Sequence, residues 1–204
     1  MIKIENTEVF GWEAAIRGMR NPLNSWNKSD TIFDGDKWCI GENDLKLMKS
    51  LSKAGSDHDK FLRMINVTCD ITAPLYFFKE YDTYKVATVA NSCSTMHTIH
   101  KKEFTLDDFS HEHLTPWNET VLRNLIVELN ESRDQYLHTK NKEDWWQMIQ
   151  LLPSSYNQKR TVQLNYQVLK SMYFARRNHK LDEWRNFCSW VETLPYFKEI
   201  VLED

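Results

Sequence analysis

Asn165 and Arg176 stand eleven positions apart in a stretch that reads as helical. At about 3.6 residues per turn that is close to three full turns, so both side chains fall on one face. Leu169, Met172 and Tyr173 share that stripe. Burying an unpaired guanidinium among core-type residues costs several kcal/mol, so Arg176 needs a partner, a ligand or an exit to solvent. The same spacing is met by an Arg that snorkels or pairs with an acid, and by an Asn that caps or braces a loop. Just upstream, Ser154-Ser155-Tyr156-Asn157-Gln158-Lys159-Arg160 packs hydroxyls, amides and two cations at a helix start, a natural place for an anion. An ordinary N-cap with solvated charges reads the same residues. His97, His100, His111 and His113 fall within seventeen residues and have zinc-ligand chemistry. No Cys pair or second matched group accompanies them, so solvated histidines and no metal are expected.

The elements that must position these groups follow from periodicity. Lys3–Phe10 alternates as a short strand, and Trp12–Met19 reads as a short helix. Residues 21–41 are rich in Asn, Ser, Asp and Gly and contain Pro22, which predicts a long, functional loop. Glu42–Ala54 is a helix with Leu45, Met48 and Leu51 at helical spacing, stopped by Gly55. Phe61–Thr72 reads as a strand broken at Ala73-Pro74, and Leu75–Tyr84 as a helix with Pro74 near its first turn. Val86–Met96 fits a strand or an irregular segment. A polar loop over 100–118 with a turn at Leu106–Phe109 precedes helices over Glu119–Leu137, Lys142–Leu152, Ser155–Arg177 and Leu181–Leu194. The order predicts an α+β fold, one helix-rich domain over 1–204 with a small antiparallel sheet.

Composition bounds the function. The chain has 204 residues, 26 Lys+Arg against 29 Asp+Glu, 41% apolar and 13% aromatic residues, and only 5 Gly and 5 Pro. That excludes disorder and collagen-like repeats, and a net charge of −3 argues against a nucleic-acid binder. Cys39, Cys69, Cys93 and Cys188 are far apart, with no CxxC pair. Neither a signal peptide nor a membrane span is indicated, so a soluble, cytoplasmic protein is expected.

Leu152-Pro153, then eleven residues to Asn165 and ten more to Arg176, resembles the C-terminal half of the flavin-dependent thymidylate synthases. Leu47–Gly55, Phe61 and Ala73-Pro74 resemble that family's helix, strand and Ala-Pro break. The family signature runs Arg-His-Arg, two residues, Ser, one residue, Asn-Glu, one residue, Ser, one residue, Arg-Tyr. Counted from Ala73-Pro74, the Arg-His-Arg positions hold Thr83, Tyr84 and Lys85. Thr88 stands for the first Ser. With one inserted residue, Asn91 and Ser94 match the Asn and the second Ser. Ser92 replaces the Glu, and Met96 and His97 stand where Arg and Tyr belong. Ile149 replaces an Arg of the phosphate side, and a His on the strand becomes Arg63.

The resemblance implies a homotetramer whose flavin sites lie between subunits. It implies FAD as cofactor, with NADPH and methylenetetrahydrofolate as co-substrates and dUMP as substrate. Arg176 would be the catalytic group, polarising the pyrimidine, with Ser94, Thr88 and Lys85 also on the substrate. Asn165, Asn91, Lys79, Tyr84 and Arg63 would address the cofactor. Lys79, Lys85, Lys159, Arg160 and Arg177 are the cations available to replace the missing arginines. In such enzymes no protein nucleophile attacks the uracil. Cys93 offers a rival, a thiolate adding to C6, if His97 lies one helical turn away; packing is the alternative. The loss of Arg-His-Arg and the Glu admits a non-catalytic or altered-specificity relative.

Overall fold

A computed structural model describes residues 2–35 and 37–203. It is α+β, helix-rich with small antiparallel sheets, as the pattern predicts. In chain order the elements are β1 (Lys3–Phe10), α1 (Trp12–Arg20), β2 (Ile32–Asp34), β3 (Lys37–Cys39), α2 (Glu42–Lys53), β4 (Asn66–Pro74), α3 (Leu75–Tyr81), β5 (Val89–Ser92) and α4 (Thr95–Thr98). Then follow α5 (Pro116–Thr139), α6 (Lys142–Leu151), β6 (Asn157–Asn165), α7 (Tyr166–Arg176) and α8 (Asp182–Val191). One sheet has the order β1-β4-β6-β5; the other is the β2-β3 hairpin, with Ile32 opposite Cys39 and Phe33 opposite Trp38.

The chain divides into two compact units. The first gathers Ile71–Thr83 and Ala90–Thr161. Its core is Ile99, Phe104, Phe109, Leu122, Ile126, Leu129 and Met148, drawn from α5, α6 and the segment before them. Asn130 on α5 clamps that segment, donating to the Phe104 carbonyl at 2.9 Å and accepting from its N–H at 2.8 Å. The start of α3 is tied to the 154–156 stretch: Leu75 N–H donates to the Tyr156 carbonyl and Tyr76 N–H to that of Ser154, both at 3.0 Å.

The second unit gathers Ile4–Asp70, Tyr84–Val89 and the chain from Val162 onward. Met48, Leu62, Ile65, Tyr166, Leu169, Met172, Trp184, Phe187 and Phe197 are buried in it. Between β1 and α1, Gly11 sits at φ +95°, where a Cβ would stand 2.1 Å from the Met64 carbonyl oxygen; only glycine fits this turn.

Four expectations change. The stretch 155–177 is not one helix: β6 runs to Asn165 and α7 begins at Tyr166. Gln158, Val162 and Leu164 are buried while Lys159, Thr161 and Gln163 are exposed. That is the period of two of a half-buried strand, masked in sequence by helix-tolerant Gln, Lys and Arg. Arg63 is not on a strand: Asp59–Arg63 is a 3₁₀ turn and β4 starts at Asn66. Helix α3 stops at Tyr81, so Tyr84 and Lys85 lie beyond it. The 21–41 loop carries two 3₁₀ turns and the β2-β3 hairpin.

Candidate functional site

Arg176 is the last residue of α7, where a cation suits the helix dipole. Its Nε donates to Tyr84 Oη at 3.0 Å. The guanidinium carbon lies 5.2 Å from the centre of the Trp184 ring and 5.7 Å from that of Tyr84. The two rings meet edge to face at 6.1 Å. Cation–π attraction and the hydrogen bond to Tyr84 Oη therefore help hold a half-buried guanidinium in place. Thr88 joins this group, donating its hydroxyl to the Tyr84 carbonyl. Lys85, beside Tyr84, is exposed. The structure thus brings together Arg176, Tyr84, Thr88 and Lys85 within the second unit.

Asn165 is the N-cap of α7, its side chain accepting from Val168 N–H at 3.0 Å. It is buried at the opposite end of that helix from Arg176, so the two do not share a face over three turns. Its side-chain oxygen thus serves as the helix cap. Arg63 is exposed on its 3₁₀ turn. In the first unit Lys79 and Asn91 are exposed, on α3 and β5.

Ser94 opens into a cavity of about 360 Å³ in the first unit. Cys93, Thr95, Lys102, Tyr156 and Lys159 also line it. Two of the segments that build it are tied to each other. One is the turn into α4, where Ser94 Oγ accepts from His97 N–H at 3.1 Å. The other is the start of β6, where the Lys159 carbonyl accepts from Cys93 N–H at 2.9 Å. Gln158 Nε2 donates to the Cys93 carbonyl at 2.8 Å. Arg160 braces this edge: Nε donates to Gln158 Oε1 at 3.0 Å, Nη1 to Asp82 at 2.7 Å, and the guanidinium lies 3.9 Å from the Phe78 ring centre. Lys102 pairs with Asp108 at 2.7 Å. Burial, then Asp108 and Cys93, pushes the Tyr156 phenol up from its ordinary value, so it stays a neutral donor.

Tyr156 belongs to the 154–160 stretch whose sequence suits an anion, whereas nothing in the sequence points to Lys102. Lys102 lies in a polar loop with no periodic signal, and Tyr156 read as a helix residue. A hydroxyl accepts twice and donates once, so Ser94 keeps its O–H to donate. Hydroxyls, a phenol and Lys159 therefore line the cavity beside the Lys102–Asp108 pair and Glu103. Among the described residues no group of three His, Cys, Asp or Glu side chains is placed to hold a metal ion. No described helix is long and apolar enough to cross a membrane.

The whole chain superposes on solved structures. Thymidylate synthase X from Helicobacter pylori, crystallised with FAD and dUMP, matches at TM-score 0.72 and 16% identity over 100% of this chain and 98% of that one. A second structure of that Helicobacter pylori enzyme with FAD and dUMP matches at TM-score 0.72 and 17% identity over 99% and 98%. This chain has the thymidylate synthase X fold. No family model and no curated protein matches its sequence.

Proposed function

We propose that the chain is a divergent flavin-dependent thymidylate synthase, transferring a one-carbon unit from methylenetetrahydrofolate to dUMP through reduced FAD, with NADPH as reductant. The observation that carries this reading is the Arg176 guanidinium, fixed at the end of α7 by Tyr84 Oη and the Trp184 ring, on a scaffold whose solved counterparts hold FAD and dUMP. An oriented guanidinium stabilises negative charge as it develops on a pyrimidine carbonyl. Ser94 and Thr88 offer hydroxyl oxygens to the nucleotide, and Lys85 and Lys159 offer charge to its phosphate.

In this reading Lys79, Asn91 and Arg63, which are exposed, and Asn165 would address the cofactor. When bound, FAD supplies the redox chemistry that no side chain here can supply. The protein's part is to hold, orient and polarise. With sites assembled between subunits, the chain acts as a homo-oligomer, a tetramer in this reading.

The test is purification with FAD, removal of free cofactor, and assay with dUMP, NADPH and methylenetetrahydrofolate. A retained flavin absorption band and formation of dTMP are expected. Arg176→Ala should lower the rate by roughly 10²-fold with little loss of stability. A colourless protein that stays apo with added FAD, and whose melting temperature ignores dUMP, sinks the proposal.

One observation favours a second reading. Thr88, Ser94 and Asn165 each spend a side-chain contact on nearby backbone. A relative that binds the pyrimidine nucleotide without turning it over would show a dUMP-dependent melting shift and no dTMP.

A further inference from the structure

A second concave site lies in the second unit, between α1 and the 21–41 loop, with a volume of about 330 Å³. That is large enough for one small ligand. Ile16, Arg17, Arg20, Trp26, Ser29 and Phe33 line it. None of them belongs to the constellation around Arg176 or to the Ser94 cavity.

Two large aromatic rings stand exposed at this pocket, Trp26 at 51% and Phe33 at 40%. Both are held in place. Trp26 Nε1 donates to Asn21 Oδ1 at 2.8 Å. Phe33 stacks on Trp38 at 6.3 Å between ring centres, with 20° between planes. Fixed, exposed rings are stacking platforms for planar molecules.

Arg20 supplies the polar half. It is 3% exposed, and its hydrogen bonds are incomplete. Nε donates to Asp44 Oδ1 at 2.6 Å, and Nη1 to the Ser25 carbonyl at 3.2 Å. Nη2 is buried and has no acceptor among the described residues. Nearly all buried N–H groups are paired, so a missing acceptor marks a place where one is to be supplied. Charge selects the ligand further. Arg20 is neutralised by Asp44, and Arg17 lies 3.8 Å from Glu13. The pocket therefore favours a neutral molecule over an anion.

We propose that this pocket binds a neutral planar heteroaromatic ring carrying a carbonyl or ring-nitrogen acceptor, the chemistry of a nucleobase. The ring lies against Trp26 and Phe33 and turns its acceptor toward the Arg20 guanidinium. The site is separate from the nucleotide reading above and does not depend on it.

Uridine and adenosine, which carry the base without phosphate, are the probes. Titrated into the full-length protein, at least one should shift the Trp26 indole N–H and Arg20 guanidinium N–H resonances saturably. Trp26→Ala and Phe33→Ala should each weaken binding at least roughly tenfold, the size of a lost stacking contact, while the melting temperature holds. Arg20 is left unsubstituted because it anchors a buried pair. Arg176→Ala should leave the shifts intact, which separates this pocket from the dUMP site. The proposal is overturned if neither nucleoside moves these resonances saturably, if both ring variants bind as well as the parent protein, or if Arg176→Ala abolishes the shifts.

Discussion

Tyr84 Oη and the ring faces of Tyr84 and Trp184 help hold Arg176, and those contacts set what its neighbours can do. Tyr84→Phe removes the acceptor of the 3.0 Å bond but keeps the ring. A charged hydrogen bond that water can partly replace is worth about 1 kcal/mol, so dUMP affinity should fall roughly fivefold in a calorimetric titration, with the fold unchanged. Arg176→Lys should not restore function, because a lysine ammonium has no planar fork to lie between rings and carbonyl. A different residue carries the stability of the 21–41 loop. The Asp44 side chain is fully buried and accepts from Arg20, Ser29, Asp30 N–H and both the N–H and the hydroxyl of Thr31. Burial pushes its carboxyl up, but the bonds from Thr31, Ser29 and Arg20 outweigh that and hold it below its ordinary 3.8. A folded value below the unfolded one means that its contribution is complete above pH 3.8 and is lost as pH falls through the folded value. Denaturant midpoints should therefore drop with acid only below about pH 4 on this account. Asp44→Ala, which strands Arg20, should cost about 3–5 kcal/mol at pH 7, and its acid dependence should be flatter than the parent's.

Elements were legible where one signal dominated. Trp12–Met19, Glu42–Ala54 and Lys142–Leu152 showed helical spacing and match α1, α2 and α6 within a residue or two. The 155–177 stretch failed because Gln, Lys and Arg tolerate a helix, so the alternation of Gln158, Val162 and Leu164 was the weaker signal. Asn165 then marked an N-cap rather than a helix face. Removing that cap tests the assignment: Asn165→Ala should cost about 1 kcal/mol in chemical denaturation, whereas a mid-helix Asn replaced by Ala would gain stability. The 21–41 loop hid its hairpin because three-residue strands are too short to show a period. Its anchor is nonetheless specific. Asp30 accepts from Asn43 N–H at 2.9 Å and Asp44 N–H at 3.1 Å, capping α2 from a distance of thirteen residues along the chain. Gly41 leaves room for it: a Cβ there would come within 2.2 Å of the Asp30 carboxyl. Gly41→Ala should displace the cap and cost about 1–2 kcal/mol, read as a lower melting temperature with unchanged helix content.

At the scale of the whole molecule, a net charge of −3 gives no broad positive surface, and only 5 Gly leave little for a phosphate loop. An anionic ligand must depend on local groups brought together from distant parts of the chain. Lys102 and Lys159, 57 positions apart by number, line one cavity with Ser94. That juxtaposition is invisible to spacing, which is why the cavity was not legible although Ser94 was. Local capture has a global readout, because a ligand that binds only the folded chain stabilises all of it. At a hundred times its dissociation constant the gain is about 2.7 kcal/mol. For a chain of this size each kcal/mol moves the midpoint by about 2–4 °C, so dUMP should raise the melting temperature by about 5–10 °C. Inorganic phosphate at the same concentration should give only a small part of that shift, since it carries no pyrimidine for Arg176 to meet. Lys159→Ala should remove most of the phosphate effect and part of the dUMP effect, and Arg176→Ala should reduce the dUMP effect alone. If Arg176→Ala leaves the dUMP shift whole while Lys159→Ala abolishes it, the protein recognises the phosphate and not the base, and the pyrimidine assignment fails.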